Sequence, residues 1–162
     1  MPKEEQIKRL QKVNELIRFI VTDSDERRPP FKPKGISQFE FSEGGKLFFR
    51  DGYTNDLIYP YRNSKRHGFC EGGTIWELVL EMRKFIIEGI EISFGNLYST
   101  AWGWYAEDRD AVIEKAKELG YLTDEAELFS AYVKRLNKSG NNWMTTYVRW
   151  KNKGAEEKCS TT

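Results

Sequence analysis

Two tyrosine–cation runs lie close together in the chain: Arg50-Asp51-Gly52-Tyr53, and Tyr59-Pro60-Tyr61-Arg62-Asn63-Ser64-Lys65-Arg66-His67. Guanidinium forks and an ammonium suit phosphate or carboxylate oxygens. Tyrosines beside them can stack on nucleobases or supply amphipathic contact area at a protein interface. Gly68, Gly72 and Gly73 follow and allow close backbone approach. The run ends just before a helix whose free N–H groups and dipole favour an anion. This pattern makes Arg50, Tyr53, Tyr59, Tyr61, Arg62, Lys65, Arg66 and His67 candidate ligand-binding residues. The alternative is an exposed loop that is polar because it is wet.

A second candidate is the aromatic group Tyr98, Trp102, Trp104 and Tyr105 around Gly103. In an extended segment Trp102 and Trp104 point to one side and could line a pocket for a base, a sugar or a partner side chain. The competing reading is core cover. The segment Trp143–Trp150 alternates Trp143, Thr145, Tyr147 and Arg149 with Met144, Thr146, Val148 and Trp150, with Lys151 and Lys153 beyond. It reads as a half-buried strand with a basic end, or as a basic-aromatic strip for nucleic acid.

Catalytic patterns are sparse. His67, Cys70 and Glu71 would activate a thiolate at a helix start, but the partners of such cysteines normally come from distant positions, and Cys70 also suits a small buried residue. Asp51, Asp56 and Glu71 could hold a magnesium ion, with Lys65 or His67 assisting, as in a small phosphodiesterase. The two cysteines and one histidine are too few for a four-ligand Cys/His zinc site. GxxxxGK[ST], GxGxxG and GxSxG are all missing, so no phosphate loop, dinucleotide fingerprint or serine elbow is expected. No cofactor is implied.

These residues must be positioned by a chain of 162 residues, long enough for one domain with a real core. Net charge is +1 from 26 basic and 25 acidic residues, which excludes a uniformly basic coat. The total hides a distribution: residues 1 to 70 carry net +4, residues 71 to 127 net −8, and residues 128 to 162 net +5. Whether the basic ends meet in one face is not set by sequence. No apolar run approaches 18 residues and no secretory leader is visible, so the expectation is a cytoplasmic protein with both thiols free and no membrane partner.

Ile7, Leu10, Val13, Ile17, Ile20 and Val21 recur at helical spacing and predict a helix over 3–21. Prolines 29, 30 and 33 bar helix from Asp23 to Gly35. Gln38–Phe41 and Lys46–Arg50 form a hairpin around Ser42-Glu43-Gly44-Gly45. A further strand runs over Leu57–Tyr61. A central helix spans about 74–88, with Thr74 and Glu77 as a capping box and Gly89 as its stop. A short strand is expected over Ile90–Phe94 and an aromatic loop over Gly95–Tyr105. Helices are expected over Glu107–Leu119 and from about Glu125 to Leu136, the latter capped by Asp124 with Glu127. The order predicts an α+β fold: a small antiparallel sheet packed against a buried central helix, plus three further helices. Residues 1–153 form a single domain and 154–162 a frayed tail.

The sum is a small binding protein without turnover. It would be a regulator or inhibitor of the kind mobile elements carry, acting on an anionic ligand (nucleic acid or nucleotide) or on a protein that handles one. One alternative is the metal-dependent phosphodiesterase or nuclease. The other is an interaction module whose acidic centre, residues 71 to 127, mimics a polyanion. Oligomeric state is not legible.

Overall fold

The structure, a computed structural model, describes residues 2–25, 37–52, 54–61, 73–91, 94–98, 105–140, 148 and 150. The first helix, α1, covers Glu4–Asp25, ending four residues later than its apolar spacing predicts and running through Asp23 to Asp25, which the sequence pattern assigns to the proline-barred stretch. Val13, Leu16, Ile17 and Ile20 are buried, whereas Lys12, Glu15 and Arg18 face water. Steps of three and four residues place the buried set on one helix face. α1 touches the sheet, the second helix and the third, so the other layers are hung on it.

The sheet has three antiparallel strands, β1 Gln38–Phe41, β2 Leu47–Arg50 and β3 Leu57–Ile58, in that order. Phe39 pairs with Phe49, Phe41 with Leu47, and Phe49 with Ile58. The hairpin turn closes through Gly45 N–H to Ser42 O at 2.9 Å, with Gly45 at φ 82°, a conformation that favours glycine. Lys46 precedes β2, and β3 is shorter than the predicted strand, leaving Tyr59 and Tyr61 just past its end. Alternation puts Phe39, Leu47, Phe49 and Ile58 into the core and Glu40, Phe48, Arg50 and Leu57 on the outer face.

An edge strand carries unpaired backbone groups. On β1 they are met at Phe39 by one side chain of α1. Asn14 Nδ2 donates to Phe39 O at 2.9 Å, and Phe39 N–H donates to Asn14 Oδ1 at 2.7 Å. The carboxamide stands in for the peptide group of a further strand.

The central helix, α2, covers Gly73–Glu88. It starts one residue before the predicted Thr74, which therefore lies in the first turn and not at the cap. Trp76, Leu78, Val79, Met82, Phe85 and Ile86 are buried, and Glu77, Lys84 and Glu88 are exposed. Its last turn holds no basic residue of its own to answer the negative end of the dipole. α1 supplies one: Arg9 Nε donates to Ile86 O at 3.0 Å, Arg9 Nη2 to Ile87 O at 3.4 Å and Gln6 Nε2 to Ile87 O at 3.1 Å. Gly89, at φ 72°, ends the helix beneath the same guanidinium.

The strand expected over Ile90–Phe94 is corrected. Ile90 is 52% exposed and, like Glu91, outside any strand. Phe94–Tyr98 is a 3-10 helix that lowers Leu97 into the core. Gly95-Asn96 favours such a turn, and Asn14 already closes the β1 edge that a strand could have joined.

α3 covers Ala106–Glu118, within a residue of expectation. It ends in a Schellman turn: Tyr121 N–H reaches Ala116 O at 2.8 Å and Gly120 N–H reaches Lys117 O at 2.9 Å. The turn drives Tyr121 into the core, edge-on to Phe85 of α2 at 4.7 Å. α4 covers Phe129–Lys138, not Glu125–Leu136. Asp124 does not cap it: residues 123–126 form a turn closed by Ala126 N–H to Thr123 O at 3.1 Å, and the chain runs extended through Leu128. Its cap comes from α3, where Asp110 accepts Ser130 N–H at 2.9 Å and the Ser130 hydroxyl. A carboxylate serves a helix N-terminus wherever in the chain it comes from. Of the late strand Trp143–Trp150, Val148 and Trp150 are described; neither is in a strand, and both pack on the core. The predicted tail, 154–162, lies outside the described residues. Together the helices and the small antiparallel sheet make the α+β fold.

Candidate aromatic and cationic surface

Of the predicted site residues, Arg50, Tyr59 and Tyr61 are described and lie on the outer side of the sheet. Tyr53, Arg62, Lys65, Arg66, His67, Trp102 and Trp104 lie outside the described residues, as do Cys70, Glu71 and Arg149.

The β2–β3 turn presents the tyrosines. Asn55 takes φ 62°, and its N–H donates to Asp51 O at 2.7 Å. Asp51 is 1% exposed and accepts Thr54 N–H at 3.4 Å, the self-bonding that suits aspartate to turns. Pro60 is buried, and on either side of it Tyr59 and Tyr61 emerge on the outer face.

The rings form a short ladder. Phe48 and Tyr59 have centroids 5.3 Å apart, and Tyr59 and Tyr61 are 3.9 Å apart. The Arg83 guanidinium lies 4.2 Å from the centroid of Tyr61, and Lys46 Nζ lies 5.9 Å from that of Tyr59. Tyr61 is 40% exposed. Phe48, Lys46 and Arg83 were not singled out from the sequence. Phe48 and Lys46 share the parity of Arg50 along β2, a signal that was readable. Arg83 sits on another element, in the polar stripe of α2, and nothing local points it at a tyrosine.

Arg50 serves the frame. Its Nε bonds Glu40 Oε2 at 2.9 Å across the β1–β2 pair, and its Nη1 donates to Asn55 O at 3.1 Å. It neutralises a carboxylate on this face and holds the turn that delivers the tyrosines.

The phenols are electrostatically unequal. A hydrogen bond from the Tyr59 hydroxyl to Tyr61 raises Tyr59 above the ordinary tyrosine value. The same bond lowers Tyr61, helped by a hydrogen bond from Arg83 and by the charges of Arg83 and Lys46. Favourable donors and cations stabilise the phenolate. On raising pH, tyrosinate absorbance of the native protein should show a component that ionises before ordinary tyrosine. Tyr61→Phe should remove it, and Arg83→Ala should move it upward. A native titration with no early component would refute the arrangement.

A second aromatic group joins Tyr98, Phe129 and Tyr132. Tyr98 lies 5.2 Å from Phe129 and 5.0 Å from Tyr132. The Tyr98 hydroxyl donates to Glu127 O at 2.6 Å, and burial holds its phenol well above the usual range, so it stays a donor. The buried Arg109 guanidinium lies 4.2 Å from the centroid of Phe129. Burial pulls its pKa down, partly offset by Asp108. Phe129 lies in the core, and Tyr98 and Tyr132, partly buried, pack against it. Among the described residues, no three His, Cys, Asp or Glu side chains come together in a way that could hold a metal ion.

The fold and this surface define an α+β protein that carries an aromatic, cation-flanked face on a three-stranded antiparallel sheet. The chain belongs to the YoqU family, whose model matches residues 3–144. It is 41% identical over 127 residues to the SPbeta prophage-derived uncharacterized protein YoqU of Bacillus subtilis (strain 168), covering 75% of this chain and 88% of that one. The mobile-element type expected from composition thus has a prophage-derived relative. No solved structure matches the chain. No helix among the described residues is long and apolar enough to cross a membrane.

Proposed function

We propose that the protein is a non-enzymatic binding protein that recognises a nucleic acid or nucleotide through the outer face of its sheet, and that it acts as a regulator or inhibitor. The observation that carries this reading is the Phe48–Tyr59–Tyr61 ladder with Lys46 and Arg83 against its rings. Rings on a solvent-facing sheet offer π surface to a base, and cations beside them answer the phosphate. Neither group alone would suffice. An exposed ion pair contributes about 1 kcal/mol or less, whereas a base stacked on an aromatic side chain is worth about 1–3 kcal/mol. A prophage relative is consistent with a small protein that works on nucleic acid or its handlers.

Fluorescence anisotropy of labelled oligonucleotides, with unlabelled nucleotides as competitors, tests the reading. Binding should appear at about 50–100 mM salt and weaken as salt rises, because phosphate contacts release counterions. Arg83→Ala should flatten the dependence of log affinity on log salt by about 0.7–0.9. Tyr61→Ala should weaken binding by about 1–3 kcal/mol at any salt. Absence of binding to every nucleic acid and nucleotide would overturn the proposal.

A further inference from the structure

We infer that the ligand of this face is single-stranded nucleic acid, bound with little sequence preference, and neither duplex nor a free nucleotide. The inference rests on the binding reading above and narrows it.

The first ground is the charge of the face. Lys46 and Arg83 are the cations placed against the rings, while Arg50 is committed to Glu40 and Asn55. Exposed carboxylates, Glu43 and Asp56, stand at the two turns. Sequence-independent duplex binding is built from many phosphate contacts. Among the described residues, two cations and two turn carboxylates border the rings, so the rings are the larger contribution these residues offer a ligand. Bases in a duplex are already stacked on one another, and only unpaired bases can lie on tyrosines.

The second ground is the length of the ladder. Successive spacings of 5.3 Å from Phe48 to Tyr59, 3.9 Å from Tyr59 to Tyr61 and 4.2 Å from Tyr61 to Arg83 draw out a strip longer than one base. A mononucleotide occupies part of it. A strand of several nucleotides engages more than one ring and lets its phosphates meet both cations. Arg83 then exchanges its half-buried place over Tyr61 for a phosphate, and a base takes the vacated ring face.

The third ground concerns specificity. Direct readout needs amides or forks that are free to meet base edges. Among the described residues of this face, the Gln38 amide bonds Glu40 Oε1 at 3.3 Å and Arg50 bonds Glu40 as well. Stacking accepts any base, because every base has a π face.

The experiment compares a 15-nucleotide oligo-dT, an oligo-dA and an oligo-U of the same length, a 15-base-pair duplex, and ATP and dTMP, all against the whole protein. The single strands should bind at least about 10-fold more tightly than the duplex or the nucleotides, the order of one stacked base. Oligo-dT and oligo-dA should agree within a few-fold, and the oligo-U arm separates RNA from DNA as the source. Tyr59→Ala with Tyr61→Ala should remove the preference for single strands, whereas Tyr61→Phe, which keeps the ring, should retain it. Circular dichroism and thermal melts confirm that each variant is folded. Equal or tighter binding of duplex or of ATP overturns the inference while leaving the broader binding reading intact. No binding to any probe overturns both.

Discussion

Asn14→Leu should lower the free energy of unfolding by about 2–4 kcal/mol. The variant keeps the size of the side chain, and the better helix propensity of leucine offsets only a few tenths of a kcal/mol, but it strips the two hydrogen bonds from Phe39. A net hydrogen bond is worth only about 1 kcal/mol, yet a buried N–H or C=O left without a partner costs about 1–3 kcal/mol. Phe39 sits in the core, so water does not readily replace the lost amide. A domain of this size has roughly 5–15 kcal/mol to lose. Asn14→Asp should fall between the wild type and the leucine variant, since it keeps an acceptor for Phe39 N–H and loses the donor for Phe39 O. Urea melts measure this, and an unchanged midpoint for Asn14→Leu would show that the edge of β1 is satisfied by other means.

Phe129→Ala should cost about 3–5 kcal/mol, the range for removing a buried phenylalanine. Phe129 is 2% exposed and stands between Tyr98, Tyr132 and Arg109. The loss includes more than a cavity. It strips the π face from a guanidinium that is itself buried, and a buried charge without its compensating contact is costly. A second change therefore has an unusual sign. In the wild-type background Arg109→Met removes a cation–π contact, whereas in the Phe129→Ala background it removes a stranded charge. The double variant should be more stable than the sum of the singles predicts, by about 0.5–3 kcal/mol. Strict additivity in a double-mutant cycle would show that the ring and the guanidinium do not act on each other.

The elements that sequence made legible are those whose signal is local. The apolar stripe of α1, the alternation of β1 and β2 around Gly44-Gly45, and the long apolar run of α2 each depend on near neighbours and emerge where expected. The start of α4 was misplaced because Asp124 and Glu127 imitate a local cap, whereas the working cap is Asp110, twenty residues before Ser130. The strand over Ile90–Phe94 was misread because a short apolar run fits a strand or a turn equally well by pattern alone. At the surface, Tyr59, Tyr61 and Arg50 stand out in the sequence as members of two local tyrosine–cation runs. Arg50 was grouped with the ligand contacts because sequence does not show that Glu40 lies across the strand pair. Arg83 was invisible for a related reason: its partner is Tyr61, 22 residues earlier, and only the fold brings them together.

The link from Arg9 and Gln6 to the last carbonyls of α2 has a kinetic meaning. The joined residues are 77, 78 and 81 positions apart in the chain. Closing so long a loop costs conformational entropy before any contact repays it. During synthesis, at about 5–20 residues per second, several seconds pass between the appearance of Arg9 and that of Ile87. For that interval the α1 segment lacks the helix whose end it caps, and its apolar stripe lacks much of its cover. The chain must therefore keep a helix of 22 residues from finding other partners until residue 87 is made. The charged residues along the rest of α1, Lys8, Lys12, Glu15 and Arg18, are what keep that waiting helix in solution.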